Sequence, residues 1–178
     1  INDNVDTEKG DNDMTPFLYI MYEFYARDTS RKIKSVFKAK GMTGKHLTGT
    51  VIYGYLWDEK RENWLVDEEA AAVVQRIFAM TLEGYGPYQI ATRLAADKIE
   101  IPAVHLARHG EGVNKNKVFN DIYRWSTSTV VEILKKREYL GHTINFKTRK
   151  HFKDKKSHYV DENEWTIFEN THDAIIDQ

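Results

Sequence analysis

Three adjacent hydroxyl residues, Ser126, Thr127 and Ser128, stand directly before the apolar run VVEIL, and Lys135, Lys136 and Arg137 stand at its far end. Short hydroxyl side chains at a helix N-terminus suit phosphate oxygens and base edges alike, and cations at the other end suit a DNA backbone. A second cationic group lies earlier, with Arg27, Arg31, Lys32, Lys34, Lys38 and Lys40 against the single acid Asp28, followed by Lys45 and His46. Such a block calls for a polyanion or for water, and for one block alone the solvated reading weighs as much.

Other chemistries are poorly served. His105 and His109 sit four apart in HLARH, on one face if the segment is helical, but no Glu lies between them and no third ligand lies nearby in sequence. Surface or core histidines are the expectation, with no metal site. The serines at 30, 35, 126, 128 and 157 lie in no elbow and beside no evident base. Glu68 and Glu69 are explained by a helix N-terminus. Gly84-Tyr85-Gly86 lacks the Lys-Ser/Thr of a phosphate loop. No catalytic residue and no cofactor is expected within this chain.

The elements that must position these residues begin with Thr15 to Gly41, read as one long helix. Thr15 is the expected N-cap, Pro16 the first helical residue and Gly41 the stop. About 25 residues make a rod of roughly 37 Å. Its first half is apolar nearly all round, with Phe17, Leu18, Tyr19, Ile20, Met21, Tyr22, Phe24 and Tyr25. A helix of that kind needs a partner to bury it. Residues 42–50 are expected to be an extended, flexible linker. Alternation from Ile52 to Trp57 and again over Asn63–Val66 predicts a β-hairpin. Asp67 caps a helix that Gly84 ends, and Gly86-Pro87 opens a shorter one to about Asp97. Pro102 and Gly110–Lys117 mark an irregular loop. Ser126 to Thr129 form an N-cap cluster for a helix to about Lys136. Then come a strand over His142–Thr148, a solvated basic loop over Arg149–Ser157, and a strand over Glu164–Phe168. The fold class is α+β, mainly helical. The helices 87–97 and 127–136 suggest a helix-turn-helix, although some 30 residues separate them where 3–4 are usual. Two ordinary core helices are an equally weighted alternative.

The net charge of −1 hides a segregation. Residues 27–49 carry seven basic residues and one acid, and residues 115–156 carry twelve and four, while the intervening and terminal stretches are acidic. Two basic blocks in a nearly neutral chain point to a polyanionic partner. With no Cys there is no disulfide and no Cys-ligated zinc in the chain, which fits a reducing compartment. No apolar run approaches the roughly 20 residues of a membrane span, so no membrane partner is expected.

The succession NDNVDTEKGDND, YEFYARDTSRKIKSVFKAKGMTGK, YGYLWDEKRENWLVDEEAAAVVQRIFAMTLEGYGPYQIATRLA and WSTSTVVEILKKREYLGHT resembles the large serine recombinases of the resolvase/invertase superfamily. It is most similar to the branch carried by conjugative and mobilisable transposons. The resemblance implies a piece of a longer bacterial, cytoplasmic, DNA-associated enzyme. An N-terminal catalytic domain would carry a nucleophilic serine that cuts DNA through a 5′-phosphoserine link. Residues 1–14 would end that domain, and the nucleophile would lie before Ile1. Residues 15–41 would be the connector and dimerisation helix, which also crosses the minor groove at the cut site. Residues 42–50 would be a linker following a groove, and residues 51–178 a recombinase DNA-binding domain. The zinc-ribbon region that usually follows would be absent. Arg27 and Arg31 fall near basic residues that assist the active site in relatives, and no catalytic role is assigned to them.

The expected function is the DNA-binding portion of a site-specific recombinase that excises and integrates a mobile element. By itself this portion should be inactive. Its partners would be double-stranded DNA at the element's ends and a second copy, joined through the 15–26 half-helix. The DNA-contacting set would be Arg27, Arg31, Lys32, Lys34, Lys38, Lys40, Lys45, His46, Ser126, Thr127, Ser128, Lys135 and Lys136. Two rivals stay open: a non-enzymatic transcriptional regulator, and an interaction module whose apolar helix is the point.

Overall fold

The computed structural model describes residues 14–177. Residues 1–13, where the end of a catalytic domain is expected, lie outside the described residues. Helix α1 (Thr15–Gly41) is followed by the hairpin β1 (Tyr55–Trp57) and β2 (Trp64–Val66), then α2 (Glu68–Leu82), α3 (Pro87–Ala96), α4 (Pro102–Arg108) and α5 (Thr127–Leu134). A 3-10 turn at Arg137–Leu140 leads to β3 (Thr143–Asn145), β4 (Thr148–Arg149), β5 (His158–Tyr159) and β6 (Thr166–Phe168). The strands form three antiparallel pairs: β1 with β2, β3 with β6 and β4 with β5. The fold is α+β.

The core forms where α2, α3 and α5 meet the first hairpin. Helix α2 starts because the Asp67 side chain accepts the Ala70 N–H, with Glu68 and Glu69 in the dipole-favoured first turn. Its buried face is Ala70, Ala71, Val74, Ile77 and Met80. Against it lie Ile90, Ala91 and Leu94 of α3 and Val130 and Ile133 of α5. Each fully buried Val, Leu or Ile side chain contributes about 1.5–3 kcal/mol. Aromatic groups close the core. The Tyr139 hydroxyl donates to the Tyr53 carbonyl at 2.8 Å, Trp125 Nε1 donates to the Ile99 carbonyl at 2.9 Å, and the Tyr55 hydroxyl donates to the Asp173 carbonyl at 2.8 Å. The last bond draws the C-terminal stretch in, where Ile175 is buried.

Several expectations need correction. Thr15 is the first helical residue, and the cap position falls on Met14 with no side-chain hydrogen bond. Gly41 does not stop α1 with a left-handed backbone; it is the last helical residue and is buried. The chain turns instead at Gly44, whose φ of +78° suits a residue without Cβ. The stretch 42–50 is fastened rather than free, because Asn145 Nδ2 donates to the Gly41 and Lys45 carbonyls, each at 3.0 Å. Residues 102–108 are helical rather than loop, with Pro102 at the first helical position, where its missing N–H is harmless. The strand expected over His142–Thr148 breaks in two at Phe146, which has a φ of +62°. The basic loop beyond it begins and ends as a strand pair.

Candidate nucleic-acid interface

Helix α5 presents the hydroxyl cluster. The Ser126 hydroxyl oxygen accepts the Thr129 N–H at 3.1 Å and lies 2.9 Å from Ser128 Oγ and 2.8 Å from Thr129 Oγ1. It is therefore the cap, engaged with its own helix. Thr127 and Ser128 are exposed on the first turn. Between α3 and this turn runs an open groove of about 690 Å³, bordered by Tyr88, Thr92, Lys98, Arg124, Ser126 and Thr127. Tyr88, Thr92, Lys98 and Arg124 were not anticipated from sequence. The available signal was Tyr88 and Thr92 four apart on the outer face of α3, and Arg124 two residues before the cap.

At the other end of α5, Lys135 is exposed. Lys136 borders a shallow groove with Ser128 and Thr129, and also a cavity of about 520 Å³ with Phe37, Phe146 and Lys147. It thus stands between α5 and the end of α1. The one buried carboxylate on that cavity, Glu138, is ion-paired to Lys147.

Helix α1 buries only Gly41; Thr15, Leu18, Arg27, Thr29 and Ser30 are half-buried and its other residues are exposed. Arg27 and Lys32 are paired within the helix, to Glu23 at 2.8 Å and Asp28 at 2.7 Å. Lys45 lies 3.5 Å from Glu62. Lys34 Nζ donates to the Lys150 carbonyl at 2.8 Å. Among the described residues, Arg31, Lys38 and Lys40 have no carboxylate partner. Among the described residues nothing covers most of the apolar half: Tyr19, Phe24 and Tyr25 are 70%, 64% and 75% exposed.

His46 does not belong with these cations. It is buried, and its ring stacks on Trp64 with centroids 3.8 Å apart and planes 7° apart. Burial, and then nearby His172, lower its pKa from 6.5 to about 4, so it is neutral at pH 7. In this structure it is a packing residue rather than an exposed cation.

His105 and His109 do find a third group, Asp67, from 38 positions away. The geometry is that of a hydrogen-bonded pair. Arg108 lies 3.0 Å from His105 Nδ1, and a guanidinium only donates, so Nδ1 accepts and Nε2 carries the proton. Nε2 then donates to Asp67 Oδ2 at 2.6 Å, closer than two ligands of one metal ion would approach. Burial pushes the Asp67 carboxyl up, but the His105 and Ala70 hydrogen bonds outweigh it and leave the group below its usual range. The cluster ties α4 to the cap of α2.

The family model described as Recombinase matches residues 68–178, well over half of the chain. No solved structure matches it.

Proposed function

The chain belongs to the Recombinase family, and from that premise we propose that it is the DNA-binding portion of a site-specific serine recombinase acting at the ends of a transposon-borne element. The observation that carries this reading is where the cations stand without acids. Among the described residues, Arg31, Lys38 and Lys40 on α1 meet no carboxylate, while Arg27 and Lys32 of the same helix and Arg61, Arg76 and Arg108 elsewhere each meet one. Clustered like charges without counter-charges are stabilised by an external polyanion.

In this reading the basic half of α1 tracks phosphates, and Lys45, Lys135 and Lys136 extend that track. Helices α3 and α5 act as a helix-turn-helix-like unit, packed on each other although α4 intervenes in sequence. Thr127 and Ser128 reach base edges from the first turn of α5. The apolar face of α1, from residue 15 to 26, joins a second copy. Breakage and rejoining of strands belong to the intact protein, not to this portion.

The test is duplex binding across a salt series. Replacing Lys38→Glu with Lys40→Glu lowers affinity for every sequence and flattens the salt slope by about 1.8, at roughly 0.9 per phosphate contact. Replacing Thr127→Ala with Ser128→Ala reduces discrimination between sites by about 1–3 kcal/mol while leaving the slope in place. Unchanged binding in both pairs contradicts the reading.

A further inference from the structure

The strand pair β4–β5 lacks the usual reason for a ribbon to exist. Two strands alone are marginal in water, and Thr148, Arg149, His158 and Tyr159 are all exposed, so neither face packs on a core. What holds the ribbon is polar. The Val160 N–H donates to the Lys147 carbonyl at 3.1 Å, extending the ladder, and Arg149 pairs with Glu164 at 2.7 Å. The tip is folded on itself: Asp154 accepts the His151 N–H at 2.8 Å, while its own N–H donates to the His151 carbonyl at 3.2 Å. The only acid of the tip is thereby turned to the backbone, and Lys150, Lys155 and Lys156 have no carboxylate partner among the described residues.

The tip also does not point at random. It lies along α1, where Lys34 Nζ donates to the Lys150 carbonyl and Lys153 lies 3.7 Å from Glu23. Glu23 is already bonded to Arg27. Two cationic elements are thus brought side by side with one shared carboxylate between them. Arg31, Lys38 and Lys40 of α1 and Lys150, Lys155 and Lys156 of the ribbon are exposed, so a polyanion lying against both elements would lower the repulsion between them.

We propose that the β4–β5 ribbon is a second DNA-contacting arm, its tip holding the sugar-phosphate backbone of the same duplex that the basic half of α1 tracks. The inference rests on the DNA-binding reading above and adds a site outside α1 and α5. Lys150, Lys155 and Lys156 supply the phosphate contacts, while Asp154 shapes the tip.

The experiment compares the full chain with two variants of equal charge change, using fluorescence anisotropy on a random-sequence duplex across a salt series. One variant carries Lys150→Gln, Lys155→Gln and Lys156→Gln. The other carries Lys60→Gln, Ala72→Glu and Leu82→Glu, at exposed positions on the first hairpin turn and the outer face of α2. The ribbon variant is expected to bind about tenfold or more weakly, with a salt slope flatter by about 2.7 if each lysine makes one contact. The control variant is expected to keep the native slope. Thermal unfolding of both should match the parent, since all six side chains are exposed. If the parent binds and the two variants behave alike, the arm is overturned and the DNA-binding reading survives. If the parent itself shows no salt-dependent binding, both fall together.

Discussion

Burial against Trp64 and near His172 makes His46 a stabilising group only while it is neutral. The unfolded chain takes up a proton near pH 6.5, whereas the folded chain resists it down to about 4. Between those values the unfolded state binds more protons, so stability is complete above pH 6.5 and is lost as the pH falls toward 4. The loss is on the order of 1–2 kcal/mol once solvent access to the ring edge is discounted. Urea unfolding at pH 7 and at pH 4.5 measures it, and His46→Phe should shrink the difference while leaving duplex affinity unchanged. Side chains acting within their own turn were legible beforehand. Asp67 and Ser126 cap the helices expected of them, because a cap is a matter of two or three residues. His46 on Trp64 and His105 on Asp67 were not legible, because those partners lie 18 and 38 positions away and only the packed core brings them together.

Among the elements, α1 was readable as a rod over Thr15–Gly41, with only the cap roles of its two end residues displaced by one position. Local rules assign Gly41 to a turn, yet the residue is needed small for a tertiary reason: a Cβ there would overlap the Phe146 ring and come within 2.9 Å of Leu47. Two effects oppose in Gly41→Ala. Helix propensity gains about 1 kcal/mol, and overpacking costs about 1–3 kcal/mol. We expect net destabilisation on thermal unfolding, partly recovered by Phe146→Leu in the same chain. A gain in melting temperature from Gly41→Ala alone would mean that α1 does not seat on Phe146. The break at Phe146 was likewise invisible to alternation, since the apolar-polar pattern continues through a residue whose backbone turns left-handed. Helix α4 was hidden behind Pro102, which signals a helix start as readily as a loop.

Across the whole molecule, charge is sorted by element rather than balanced locally. The acids of residues 157–177 are partly used in pairing cations around β4, as in Glu162 with Arg137 and Glu164 with Arg149. Among the described residues, the basic half of α1 has no such relief beyond Asp28 and Glu23. The segregation was legible in the sequence as two blocks, but not the fact that the fold places the tip of the second beside the first. Nor could sequence show which cations are already paired, because pairing depends on contacts between distant segments.

The central claim is that these unpaired cations serve a DNA backbone, and the most direct measurement is the slope of log affinity against log salt for the unmodified chain on duplex DNA. At about 0.9 per phosphate, contacts from Arg31, Lys34, Lys38, Lys40, Lys45, Lys135, Lys136 and the three ribbon lysines predict a slope of about −9. A slope near zero, or no binding at low salt, would contradict the account.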